Sequence, residues 1–252
     1  MVREVLDQRE LIRYNRQLRI PEFGEEGQKR LKSSHVLIAG IGGLGCASAT
    51  YLTAAGVGRI TLIDFDVVEL SNLNRQVLYC EEDIGEKKVL VAQRRLSKLN
   101  SGIEIIPISD QITEANVFRL TSGTQVVLDG LDNFTTRLLV NSACVKHKIP
   151  YIHGGVSRFR GLITTIIPGE TPCLACVYPE GSQEGGGRLG VLGVIPAVIA
   201  NLQVLEAIKL MIGHGPSLAG KLLRFNGNDA EFRIVDIERN ENCKVCSVGL
   251  QN

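Results

Sequence analysis

Four cysteines stand in two pairs, Cys173 with Cys176 and Cys243 with Cys246, each pair separated by two residues. That spacing lets both thiols of a pair turn towards one ion, and two such pairs can close a tetrahedral four-cysteine site for Zn²⁺. Four thiolates leave no open coordination position, so the role expected of the metal is structural: it would pin the stretch 243–246 to the segment 173–176. The other uses of such spacing are redox-active dithiols or buried thiols. Cys46, Cys80 and Cys144 stand alone.

A second chemical signal is Gly40-Ile41-Gly42-Gly43-Leu44-Gly45, a G-x-G-x-x-G pattern after a short apolar run at 35–39. Gly40, Gly42, Gly43 and Gly45 permit a tight turn and let backbone N–H groups approach phosphate oxygens, while a following helix adds positive potential. Asp64 ends the next apolar run, where an acid can bind ribose hydroxyls. These features suit NAD as well as ATP. The polar segment 64–76 favours ATP: Ser71, Asn72 and Arg75 lie in it, and Lys88 follows at the start of a helical stretch. Arg75 can fork onto phosphate oxygens and Lys88 can meet the β- and γ-phosphates, which an NAD enzyme has no need to hold. Asp132 and Asn133 follow another apolar run, 125–128. Asp132 can hold Mg²⁺ or cap the helix after it.

The elements that must position these residues alternate. Strands are expected at 35–39, 59–63, 103–108, 125–128 and 151–153, with helices at 45–55, 87–99 and 135–146. That alternation predicts an α/β, doubly wound, mainly parallel, Rossmann-like sheet. Residues 1–33 predict a charged helical arm with a turn near 21–24. An extended strand is expected at 161–167, a glycine-rich mobile crossover at 181–193, a helix at 196–212 and late strands at 221–225 and 231–235. The late strands extend the same sheet in antiparallel fashion. With 252 residues and a net charge of +1, the chain is expected to form one domain across 1–252, with no nucleic-acid or membrane partner. No apolar run is expected to span a bilayer, because 187–200 is broken by Arg188 and Pro196. A charged N-terminus argues against a secretory signal, so a cytoplasmic location is expected.

Together, Arg13-Tyr14-Asn15-Arg16-Gln17, the glycine loop, the block 64–76, Asp132-Asn133 with Thr136-Arg137, and the paired cysteines closely resemble the MoeB/ThiF/HesA family of adenylyltransferases, relatives of the ubiquitin-activating enzymes. The resemblance covers essentially the whole chain. It implies ATP-dependent adenylation of the C-terminal Gly-Gly carboxylate of a small ubiquitin-like sulfur-carrier protein, with release of pyrophosphate. It also implies that Gly43, Asp64, Asn72, Arg75, Lys88 and Asp132 form the ATP and Mg²⁺ site, with Ser71 and Asn133 beside the nucleotide. Arg16 matches an arginine that reaches the γ-phosphate side of the partner subunit's site, which implies a homodimer. An NAD-dependent oxidoreductase built on the same loop is the alternative.

The chemistry implied needs no base, because the nucleophile is already a carboxylate; alignment and charge stabilisation dominate. His35, His147, His153 and His214 suggest no triad and are expected to be structural. Some relatives carry a cysteine in the crossover, where this chain has Gly186. The chain is therefore expected to stop at the acyl adenylate and to depend on a separate sulfur donor.

Overall fold

The computed structural model describes residues 5–178 and 190–247. The short apolar runs become strands of one sheet: β1 (His35–Ala39), β2 (Arg59–Ile63), β3 (Glu104–Ile108), β4 (Val126–Asp129), β5 (Tyr151–Ser157), β6 (Arg160–Ile166), β7 (Lys221–Asn226) and β8 (Glu231–Asp236). Their order is β3-β2-β1-β4-β5-β6-β7-β8. Strands β1 to β5 pair in parallel, and β6, β7 and β8 continue the sheet antiparallel. The antiparallel half thus begins before the expected crossover, not after it. The cause is a tight return at Arg158, where φ is +53°.

The helices are α1 (Gln8–Arg13), α2 (Asn15–Leu18), α3 (Gly24–Ser33), α4 (Gly43–Ala55), α5 (Lys88–Leu99), α6 (Val117–Thr121), α7 (Phe134–His147), α8 (Leu174–Val177) and α9 (Val194–Ile212). They cover both faces of the sheet. Successive side chains of a strand point to opposite faces. Val36 and Ile38 of β1 therefore join one core with α3, α4, α5 and α9, while Leu37 and Ala39 join another with α6, α7 and the paired cysteines. Burial on both faces favours apolar residues, which is why 36–38 in β1 and 126–128 in β4 are Val, Leu and Ile alone.

The expected arm is docked on its own domain. Tyr14 is buried, and Asn100 Nδ2 donates to its hydroxyl at 2.9 Å. Gln17 Nε2 donates to the Ala55 carbonyl, at the C-terminal end of α4, at 3.1 Å. The helix α9 corrects the reading that no run could span a bilayer: its mean hydropathy is 1.6 over a helix of 19 residues. Pro196 does not break it, because proline in a first turn has no N–H to lose. Its buried face packs on α4 and β5, and it carries buried Gln203 and Glu206. Glu206 Oε2 accepts from Thr165 Oγ1 at 2.9 Å and from the Leu218 N–H at 2.8 Å. These are the features of a core helix packed within a folded domain. Of the expected crossover, 181–189, including Gly186, lies outside the described residues. Residues 190–192 are tied to the β5–β6 return: the Arg158 N–H donates to Gly190 O at 2.7 Å and the Leu192 N–H to Arg158 O at 3.1 Å.

Candidate functional site

The glycine loop fits because side chains would not. A Cβ on Gly45 would lie 2.0 Å from Gly40 O, and one on Gly40 would lie 2.6 Å from Gly130 O. Ile41 between them is pinned from both sides: its N–H donates to Asp64 Oδ2 at 2.8 Å, and its carbonyl accepts from the Tyr79 hydroxyl at 2.9 Å. Helix α4 then begins at Gly43 behind Gly42, and no side chain caps its first turn. The orphan N–H groups and the helix dipole together make a cradle for an anion.

Arg75 borders this cradle; a Cβ on Gly43 would be 3.6 Å from its Cγ. Its Nη1 donates to Ser71 O at 2.8 Å and Asn74 Oδ1 at 2.9 Å. Those bonds fix the guanidinium and, among the described residues, engage only one of its nitrogens. Asn72 is buried and braces the loop, accepting from the Glu69 N–H at 3.1 Å and donating to Ser71 Oγ at 3.4 Å. Lys88 opens α5 with its side chain 6% exposed, and its Nζ meets Asp66 Oδ2 at 2.8 Å. The Asp66 N–H in turn donates to Asp64 Oδ1 at 2.8 Å. Burial raises the pKa of Asp64, against the pull of Lys88. Two carboxylates and one buried ammonium thus stand at the end of β2.

The loop after β4 decides between the two readings of Asp132. Asn133 is the residue that caps α7, its Oδ1 accepting from the Thr136 N–H at 2.9 Å. The helix-cap reading of Asp132 is thereby corrected, and its exposed carboxylate is left for a cation. The loop adjoins the cradle, since the Gly130 N–H donates to Ala39 O at 2.7 Å. N–H groups, a guanidinium, an ammonium and a carboxylate are the donor set a nucleotide with Mg²⁺ requires. Arg16 is not among them. It neighbours Gln17 at the far end of α4, and a helix of 13 residues places the glycine loop about 18 Å away.

The four paired cysteines converge: Cys173 and Cys243 Sγ are 3.6 Å apart, Cys176 and Cys246 Sγ 3.4 Å, and Cys173 and Cys176 Sγ 4.0 Å. All four sulfurs lie within 4.8 Å of one another. A tetrahedron with Zn–S bonds of about 2.3 Å has edges of about 3.8 Å, so the set fits zinc. Cys46 and Cys144 are buried, as expected, and burial pushes the Cys46 thiol up to about 12. Cys80 is half-buried, with Arg95 Nη2 2.8 Å from its sulfur.

Sequence reasoning missed a buried polar cluster beside Asp132. Asp129 Oδ2 lies 2.6 Å from His153 Nδ1 and 3.0 Å from Arg137 Nε. Burial opposes the Asp129 charge, but Arg137 and His153 outweigh it and hold the carboxyl below its usual range. The strand register brings them together: Leu128 pairs with Ile152, so the next residues of β4 and β5 are Asp129 and His153, and the sequence shows only that Asp129 ends a strand. Also unforeseen is a groove of about 690 Å³, lined by Phe134, Arg137, His153, Gly155, Leu162 and Tyr178 among others.

Residues 14–245 match the ThiF family. The chain is 40% identical over 248 residues to the SAMP-activating enzyme E1 of Haloferax volcanii, covering 97% of this chain and 92% of that protein. It is 42% identical over 246 residues to the sulfur carrier protein adenylyltransferase of Thermus thermophilus, covering 94% and 91%. Among solved structures it resembles E. coli MccB with ATP at 26% identity and a TM-score of 0.84, over 93% of this chain and 73% of that one. None of these is an oxidoreductase, and the NAD alternative has no support among them. The phosphate cradle, the cysteine cluster and the likeness along the whole chain agree: the protein belongs to the ThiF family.

Proposed function

We propose that the chain adenylates the C-terminal Gly-Gly carboxylate of a small ubiquitin-like sulfur-carrier protein, using ATP and releasing pyrophosphate. The observation that carries this reading is the uncapped start of α4 flanked by Arg75 and by the loop that bears Asp132. The names of the relatives, an E1-type activating enzyme and a carrier-protein adenylyltransferase, support the substrate class.

In the reaction a carboxylate oxygen of the carrier attacks the α-phosphorus, the bond to the bridging oxygen breaks, and pyrophosphate leaves. No proton need move, so the residues act by position and charge. The N–H groups at the start of α4 receive phosphate oxygens, Asp64 takes the ribose, and Arg75 and Lys88 oppose the charge growing on the leaving group. Asp132 would hold Mg²⁺, which supplies further neutralisation of the phosphates. Arg16 neighbours Gln17 at the far end of α4 from its own chain's cradle, which supports its use in a second copy's site within a homodimer. The zinc is structural, a separate protein donates sulfur, and the enzyme works in the cytoplasm.

The test is ATP–pyrophosphate exchange with a recombinant ubiquitin-like carrier ending in Gly-Gly. Exchange is expected only with carrier and Mg²⁺ present, and it should vanish when the last glycine of the carrier is deleted. Equal exchange with the truncated carrier would overturn the reading.

A further inference from the structure

The cluster of Asp129, Arg137 and His153 grips the chain one residue before Asp132. Asp129 Oδ1 accepts from the Leu131 N–H at 2.9 Å. Arg137 Nη2 donates to Leu131 O at 2.6 Å and to Gly154 O at 3.1 Å. Leu131 is therefore held at both its N–H and its carbonyl. That carbonyl belongs to the peptide linking Leu131 to Asp132, so the grip sets the plane from which Asp132 departs. Gln203 Nε2, from α9, ties the backbone below, donating to Asp129 O at 3.0 Å and Ile152 O at 2.9 Å.

His153 completes the arrangement. An ionised carboxylate only accepts hydrogen bonds, so the 2.6 Å contact places a proton on Nδ1. Nε2 lies on the side of Gly155, whose Cβ, if present, would be 3.8 Å from it, and both residues line the groove. One nitrogen thus fastens Asp129, in a ring that is itself only 1% exposed.

We propose that His153 is a positioning residue that fixes Asp129 and Arg137 on the Leu131 peptide, so aiming Asp132. This rests on the adenylation reading. Burial holds the imidazole below its usual pKa, so the neutral ring meets Asp129 through its one proton, on Nδ1.

The experiment compares the full-length wild type with His153→Ala and His153→Asn. Asparagine keeps a donor near the place of Nδ1 and lacks Nε2. Hydrogen–deuterium exchange of residues 129–133 is measured with and without the Gly-Gly carrier, alongside ATP–pyrophosphate exchange over a Mg²⁺ series. In His153→Ala, amide exchange in this segment should quicken about tenfold or more. Its kcat should fall about 10- to 100-fold, the range seen when a partner that orients a metal ligand is lost. Half-saturation by Mg²⁺ should move to higher concentration, with the KM for ATP near wild type. His153→Asn should restore kcat and slow amide exchange towards wild type. Unchanged amide exchange in His153→Ala, or a His153→Asn variant as impaired as His153→Ala, would overturn the positioning role. Absence of pyrophosphate exchange in the wild type would instead refute the adenylation reading, and the amide exchange of the carrier-free variants would still judge the positioning role.

Discussion

Asp132 and Asn133 are adjacent, but only Asn133 caps α7, so if Asp132 holds Mg²⁺ as proposed, paired substitutions should have crossed effects. Asp132→Asn removes a charge and little else: the side chain is exposed, and the cap of α7 is supplied by Asn133. An exposed substitution of this kind changes stability by about 0.5 kcal/mol or less, so the Tm should move by no more than about 2 °C. Exchange of pyrophosphate should nevertheless fall by at least about 100-fold, or about 2.7 kcal/mol of lost charge stabilisation. Asn133→Ala removes the bond from the Thr136 N–H at 2.9 Å. Loss of such a cap costs about 1 kcal/mol, which in a domain of this size lowers the Tm by about 2–4 °C. Folded Asn133→Ala should keep activity within a few-fold. Thermal melts and exchange at saturating ATP and Mg²⁺ read both quantities on the same preparations. If Asp132→Asn lowers the Tm as far as Asn133→Ala, or keeps more than a tenth of wild-type exchange, the division of labour is wrong.

Four further outcomes are expected. Asp66→Asn should free Lys88 from its 2.8 Å partner and raise the KM for ATP by up to about tenfold with little change in Tm; an unchanged KM would show that Lys88 needs no such orientation. Freshly purified protein should hold one zinc per chain, and Cys243→Ser should lower the Tm more than it alters the kcat of the folded fraction, since structural zinc contributes up to about 10 kcal/mol in small domains; elemental analysis without metal would count against the site. Mixing inactive Arg16→Ala with inactive Asp132→Asn protein should restore part of the activity, because one hybrid site keeps both groups, and no recovery between demonstrably exchanging subunits would place Arg16 elsewhere. Incubation with carrier and ATP should give no thiol-labile adduct on a non-reducing gel, and a band lost in Cys80→Ala would identify a nucleophile this reading excludes.

The parts of the fold that are legible in sequence are those where one physical demand acts alone. Strands β1 and β2 match their expected bounds because their positions are mostly buried and apolar, with His35, Arg59 and Thr61 the polar exceptions. Helix α6 was not foreseen, since five residues carry too little periodicity to stand out. In the site, the glycine loop and the cysteine pairs are readable because their chemistry is local in sequence. The roles of Asp132 and Asn133 are not separable there, because either residue type can cap a helix and only backbone geometry chooses. His153 reads as structural from sequence and is indeed buried, but its partner Asp129 lies on another strand and shows in the sequence only as a strand end. The groove is a property of how β5, β6 and α7 meet, which no single segment encodes.

The cysteine cluster also has a bearing on synthesis. Cys176 and Cys246 are 70 residues apart. At about 5–20 residues per second, roughly 4–14 s separate the making of the first pair from the arrival of the second. During that interval the nucleotide half of the sheet can assemble while the cluster has only two of its four sulfurs. A metal ion bound there would therefore close the finished fold and could not nucleate it.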